Sequence, residues 1–202
     1  MVRTSKPAGE SAGRDELLLD AALRLIGRVG IDGVTQRAVA AEAKVSLGGV
    51  THHFATRDDL VDRALRFAVV REVARLRDLV FDLQRKAFDV EAWLSALVGW
   101  YADELRTNAL THLACYEVFL AAARDARYRP VIEMLRETWR QSTELALRAA
   151  GSADPQGHAA IFVSTLIGML LQQLALPQRN FKAETIAALS ELVEQLAGQR
   201  RR

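Results

Sequence analysis

Apolar residues recur at steps of three and four along nearly the whole chain, and each such run stops at a glycine, a proline or a short polar turn. That period lays one apolar stripe along each of a series of helices. Nowhere does the strict alternation of a half-buried strand replace it. A chain patterned this way must stack helices on helices around apolar seams. Half of its 202 residues are hydrophobic, enough to fill those seams, and alanine, leucine and arginine, all good helix formers, dominate. The expected fold class is all-α.

The interruptions set the elements. Residues 1–13, with Pro7, Gly9, Gly13, Arg3 and Lys6, read as a flexible, mildly basic arm. A first helix begins at Arg14, carries Leu18, Ala22, Leu25 and Val29, and is stopped by Gly30. Thr35 is placed to cap a short helix over 36–43, and Ser46 a second over 47–54. Thr56 caps a long helix over 57–85, with Asp58 and Asp59 in its first turn, where the helix dipole favours acids. Five more follow, over about 90–106, 110–124, 129–150, 155–176 and 181–197, with Pro130 and Pro155 as first-turn prolines. The total is nine helices, ending in a basic tail over 199–202. The domains read as 14–56 and 57–198.

Two short helices joined by a three-residue turn form a helix-turn-helix, the geometry that sets one helix into the major groove of DNA. Val34, Val39, Ala40, Ala43, Val45, Val50 and Phe54 can pack its interior. Gln36, Arg37, Lys44, Ser46, Gly48, Gly49, Thr51, His52, His53 and Arg57 are left near the outer face. These side chains suit phosphates and base edges. The adjacent Gly48 and Gly49 weaken a helix but let its backbone come close to a duplex.

The run Gly33-Val34-Thr35, Val39-Ala40, Ala43-Lys44-Val45-Ser46, Gly48, His53-Phe54, Arg57-Asp58-Asp59-Leu60 resembles the signature of the TetR family of regulators. The resemblance spans about residues 14–65, and the helix count agrees over the rest. It departs at three places: Lys44 stands where the family has glycine, Thr51 where it has tyrosine, and Arg57 where it has lysine. The resemblance implies that Thr35, His53 and Arg57 position phosphates. Gln36, Arg37, Leu47, Gly48, Thr51 and His52 are candidates for contact at or near the bases. Lys44 at the turn is expected to alter its local shape, and with Ser46 it completes the expected DNA-binding set.

A reader of this kind works as a homodimer, because one recognition helix covers too few base pairs. The segment 155–176 is apolar nearly all round and must be covered on both sides. The resemblance implies that the last two helices form the dimer interface, with Phe162, Leu166, Met169, Leu170, Gln173, Ile186, Leu189 and Val193 as the expected contacts. It also implies a small-molecule site in the C-terminal helices. Trp93, Trp100, Tyr101, His112, Tyr116, Glu117 and Trp139 are its candidate lining, suited to a lipophilic or aromatic effector. Glu117 lies beside an apolar stripe and either meets the ligand or pairs with Arg136 or Arg140.

Other classes have less to stand on. A net charge of +2 does not by itself point to nucleic acid, so any cationic patch must be local. Cys115 is the only cysteine, which excludes an intrachain disulfide and fits a reducing cytoplasm. Residues 1–14 hold no apolar leader, and the most apolar run, Ile161–Leu176, carries Gln172 and Gln173 and reads as a core helix. There is no glycine-rich phosphate loop, no G-x-S-x-G and no H-E-x-x-H, so no enzyme, cofactor or metal site is expected. The reading is a DNA-binding transcriptional regulator, a repressor released by its ligand. An activator of the same fold, or a ligand-binding scaffold with weakened DNA binding, are the alternatives.

Overall fold

The computed structural model describes residues 8–84 and 89–198. The basic tail and residues 1–7 of the expected arm lie outside that range. Within it the elements are α1 (Ala8–Val29), α2 (Gln36–Glu42), α3 (Leu47–His53), α4 (Arg57–Gln84), α5 (Val90–Thr107), α6 (Ala109–Arg124), a 3-10 turn (Ala126–Tyr128), α7 (Arg129–Ala149), α8 (Pro155–Ala175) and α9 (Phe181–Gly198). Among the described residues there is no strand. One boundary moves: α1 starts at Ala8, so residues 8–13 are helical and not arm. Ala8, Glu10 and Ala12 are good helix formers, and extending an existing helix by two turns needs no new nucleus.

The helix starts are closed by capping side chains, three of them, Thr35, Ser46 and Thr56, marked by the pattern. Thr35 Oγ1 accepts from the Ala38 N–H at 3.1 Å, Ser46 Oγ from Gly49 at 3.2 Å, Thr56 Oγ1 from Asp59 at 3.1 Å and Asp154 Oδ1 from Gly157 at 3.1 Å. Each satisfies a backbone donor that the helix leaves orphaned. At the far end of α2 the chain turns through Lys44 at φ 55°, with Lys44 N–H bonded to Ala41 O and Val45 N–H to Ala40 O. This crossed pair is a Schellman stop, which normally calls for glycine at the left-handed position.

The chain divides into two compact units. One comprises residues up to Val69 with Leu110–Arg129, the other Val70–Ala109 with Pro130–Arg202. The first is built on Leu18, Leu23, Ile26, Val34, Val39, Val50, Phe54, Leu60 and Leu65, all buried. In it α6 packs on α1 at Gly27, where an added Cβ would lie 1.9 Å from the Leu110 carbonyl oxygen. The second is built on Trp93, Leu94, Leu97, Val98, Leu135, Leu147, Phe162 and Leu189, with the Trp93 and Phe162 rings 5.2 Å apart.

This second core corrects the expected interface. Phe162, Leu166, Leu170, Leu189 and Val193 are buried inside the protomer, so they cannot face a partner. Met169, Gln173 and Ile186 are half-buried. On α8 the outward side is Ile161, Ser164, Thr165, Leu171 and Gln172. On a helix that is apolar all round, periodicity cannot tell which apolar side meets the core.

Candidate functional site

The helix-turn-helix is held by a frame of hydrogen bonds between elements. Arg24 and Arg28 of α1 both reach Glu42 of α2, at 2.9 and 3.1 Å, and hold its carboxyl below the usual range. Gln36 Nε2 donates to the Phe54 carbonyl at 2.7 Å, tying the start of α2 to the end of α3. Arg57 donates to the carbonyls of Val34 and Ile31, fastening the turn after α1 to the start of α4. His53 Nδ1 meets Asp15, which also takes Arg63 Nη2 at 2.7 Å. Arg63 further donates to the His53 carbonyl and covers the Phe54 ring at 4.5 Å.

Gln36, His53 and Arg57, expected at phosphates or bases, are therefore engaged with the protein's own backbone and carboxylates. The remaining candidates stand outward. Leu47, Gly48, Thr51 and His52 form one exposed edge of α3, opposite the buried Val50 and Phe54. Thr35, Arg37, Lys44 and Ser46 are exposed around it. Thr51 Oγ1 leans on the Gly48 carbonyl at 3.4 Å, so its methyl group is presented along with its hydroxyl. One residue escaped the pattern: the guanidinium of Arg14, on α1, lies 3.7 Å from where a Cβ on Gly49 would stand. Its place beside α3 comes from the packing of α1, which no local motif encodes.

The expected ligand set divides. Trp93, Tyr101 and Trp139 line an apolar cavity in the second unit, together with Leu76, Leu97, Ser142, Thr143, Val163, Leu166, Ile167 and Leu170. As it stands the cavity has room for no more than about one water. Trp100 stacks near Tyr101 at 4.5 Å and carries the Arg75 guanidinium 5.8 Å from its ring centre.

His112, Tyr116 and Glu117 are on α6, in the first unit. His112 is buried edge-on to Tyr116 at 5.7 Å, and burial pulls its pKa down to about 4. Glu117 lines a surface cleft with Val29, Asp32, Leu120, Arg124 and Tyr128. Arg140, its suggested partner, is bound to Glu137 and Glu144 at 2.7 and 2.6 Å.

A further residue that the sequence did not mark is Glu72. It takes a core position on α4, one turn before Leu76, and accepts from the Tyr101 hydroxyl at 2.5 Å. Burial raises its pKa to about 7, against the opposing pull of Tyr101 and Trp139. The signal that could have found it is the stripe of α4. Val70 is exposed, and the buried line runs Leu65, Ala68, Val69, Glu72, Val73, Leu76.

Two family models match. Residues 18–64 fit bacterial regulatory proteins of the tetR family, and residues 88–199 fit the tetracyclin repressor-like C-terminal domain. The chain belongs to the TetR family. Among its relatives is the nicotine-responsive transcriptional repressor HdnoR of Paenarthrobacter nicotinovorans, 26% identical over 81% of this chain and 82% of that one. Among solved structures, a TetR-family member from Streptomyces coelicolor A3 is 32% identical over 89% of this chain and 97% of that one, with a TM-score of 0.65. The multidrug binding protein EbrR, solved with imidazole, is 32% identical over 89% of this chain and 94% of its own, with a TM-score of 0.60.

The chain is thus a transcriptional regulator with a DNA-binding N-terminal part and the C-terminal domain of a TetR protein. TetR proteins are regulators and not enzymes. They bind operator DNA, dimerise and take small-molecule ligands. Against the TetR pattern, Lys44 keeps the left-handed turn that its usual glycine makes, so this departure leaves the helix-turn-helix geometry intact.

Proposed function

We propose that this chain is a cytoplasmic, homodimeric repressor that leaves its operator when a lipophilic or aromatic effector enters the C-terminal domain. The observation that carries the DNA side is the exposed edge of α3, with Leu47, Gly48, Thr51 and His52 in one line and Arg14, Arg37 and Lys44 around it. Thr51 and His52 offer contacts to base edges, Thr51 with a methyl suited to thymine. The cations and Ser46 serve phosphates. Gln36, His53 and Arg57 act one step back, as the frame that fixes the angle of α3.

Dimerisation falls to the outward side of α8. Ile161 and Leu171 are half exposed, and nothing crowds a Cβ placed on Gly168. Small residues there allow a second helix to approach closely. The effector side rests on the apolar walls of the cavity and on its relatives: HdnoR is nicotine-responsive, and EbrR is a multidrug binding protein solved with imidazole and with proflavin. Effector and operator would then be coupled reciprocally.

Selection of binding sites from random duplex DNA, followed by gel shifts over a range of salt, tests the reading. A palindromic site bound with steep salt dependence supports it. Thr51→Ala and His52→Ala should relax base preference, whereas Arg37→Gln should weaken all sequences alike. Weak binding that ignores sequence would overturn it.

A further inference from the structure

A cleft of about 440 Å³ opens in the second unit, where the end of α5 meets the loop between α8 and α9. That is the size of a small-molecule site. It shares no lining residue with the aromatic cavity. From α8 it takes Gln173 and Leu174, which continue the core side of Phe162, Leu166 and Leu170 and turn away from Ile161, Thr165 and Gly168. A partner seated on the outward side of α8 therefore leaves the cleft open. Leu105, Leu174, Pro177 and Phe181 give it apolar walls. Arg106, Arg179 and Lys182, all exposed, give it three cations against one carboxylate, Asp103.

The Asp103 carboxylate meets Arg106 at 3.5 Å on the exposed rim, a weak pair that leaves the guanidinium able to turn. Among the described residues Arg179 and Lys182 have no acidic partner. Both are placed by their surroundings. Gln173 spends its whole amide on Gln178: Nε2 donates to the carbonyl at 3.2 Å, and Oε1 accepts from the N–H at 2.9 Å. That fixes the loop just before Arg179. Lys182 reaches α5 at Gly99, where an added Cβ would stand 3.2 Å from Nζ. Cations gathered at a low-dielectric cleft focus a positive potential into it. Guanidinium forks match the two oxygens of a carboxylate. A bare anion would leave the apolar walls wet, whereas an anion with an apolar body uses both.

We propose that this cleft is a second ligand site, which takes a small organic carboxylate with an apolar body. The head lies among Arg106, Arg179 and Lys182, and the body lies on Leu105, Leu174 and Phe181. The site is separate from the effector cavity and from the DNA-binding edge, so it stands or falls without them.

The test is calorimetry on the full-length protein with three probes: octanoate, its neutral counterpart octanamide, and acetate, which has the head without the body. Octanoate should bind one per protomer, at least tenfold more tightly than either of the others, and its affinity should fall as salt rises. Arg179→Gln with Lys182→Gln, both at exposed positions, should leave the melting curve in place. The double variant should lose at least tenfold in octanoate affinity and nothing for octanamide. A readout that needs no variant locates the ligand. In methyl spectra of the wild type by NMR, octanoate should shift Leu105 and Leu174 and leave Leu97 and Val163 of the aromatic cavity where they are. Equal affinity for octanoate and octanamide, a double variant that binds octanoate as wild type does, or shifts at Leu97 and Val163 in place of Leu105 and Leu174 would overturn the proposal.

Discussion

At the scale of single residues, Lys44 shows how much a turn can demand of a side chain unsuited to it. The Schellman stop after α2 places this residue at φ 55°, where an L side chain with a Cβ costs about 1 kcal/mol relative to glycine. Lys44→Gly should therefore raise the stability of the protein by about 1 kcal/mol in a denaturant titration while weakening operator binding through the lost charge. Arg57 works the other way. Its guanidinium satisfies the carbonyls of Ile31 and Val34, so Arg57→Met should cost roughly 1–3 kcal/mol by the same measurement. The residue types of the helix-turn-helix were legible in the sequence, but the direction of each polar group was not. Periodicity places His53 and Arg57 at the edge of a face. Whether they turn outward or back to Asp15 and the Ile31–Val34 turn depends on contacts far along the chain: Asp15 lies 48 residues before Arg63, and Ile31 lies 26 before Arg57.

At the scale of elements, the sequence located the helices well because caps and breakers are local. Thr35, Ser46 and Thr56 all bond the backbone amides that their positions imply. Faces were harder. α8 is apolar on every side, so its core side, Phe162, Leu166 and Leu170, was taken for its partner side. On α4 the buried stripe takes in Glu72, a charged residue that apolar periodicity does not mark. The two sides of α8 can be told apart by experiment. Leu166→Ala should destabilise the protomer by about 2–5 kcal/mol through the cavity it leaves. Ile161→Asp with Leu171→Glu should leave the melting curve of the protomer nearly intact and shift sedimentation from dimer to monomer. The reverse pattern would return the interface to the inner side. The contact of α1 with α6 is equally sharp. A methyl group at Gly27 collides with the Leu110 carbonyl, so Gly27→Ala should lower stability, although alanine is the better helix former.

At the scale of the whole molecule, two buried titratable groups oppose each other. His112 has its pKa lowered to about 4 by burial, so the stability it allows is complete above its ordinary value of 6.5 and is lost as pH falls toward 4. Glu72 has its pKa raised to about 7, so its contribution is complete below 4.5 and is lost as pH rises toward 7. Between pH 4.5 and 6.5 folding therefore takes up one proton at Glu72 and releases one at His112, and unfolding in a single transition should change little with pH from these groups. Glu72→Gln should unbalance the pair. Its stability should exceed wild type by on the order of 3 kcal/mol at pH 8 and should fall on acidification where wild type stays level. If the two units unfold separately, their midpoints should instead move in opposite directions with pH, because His112 is in one and Glu72 in the other. The near absence of free space between Trp93, Tyr101 and Trp139 bears on time as well as on energy. For an effector bound there those rings would have to part, and an open form would have to be reached before, or during, capture. If opening comes first, the observed rate of effector binding should level off as effector concentration rises, and the plateau would report how often the closed aromatic wall opens by itself.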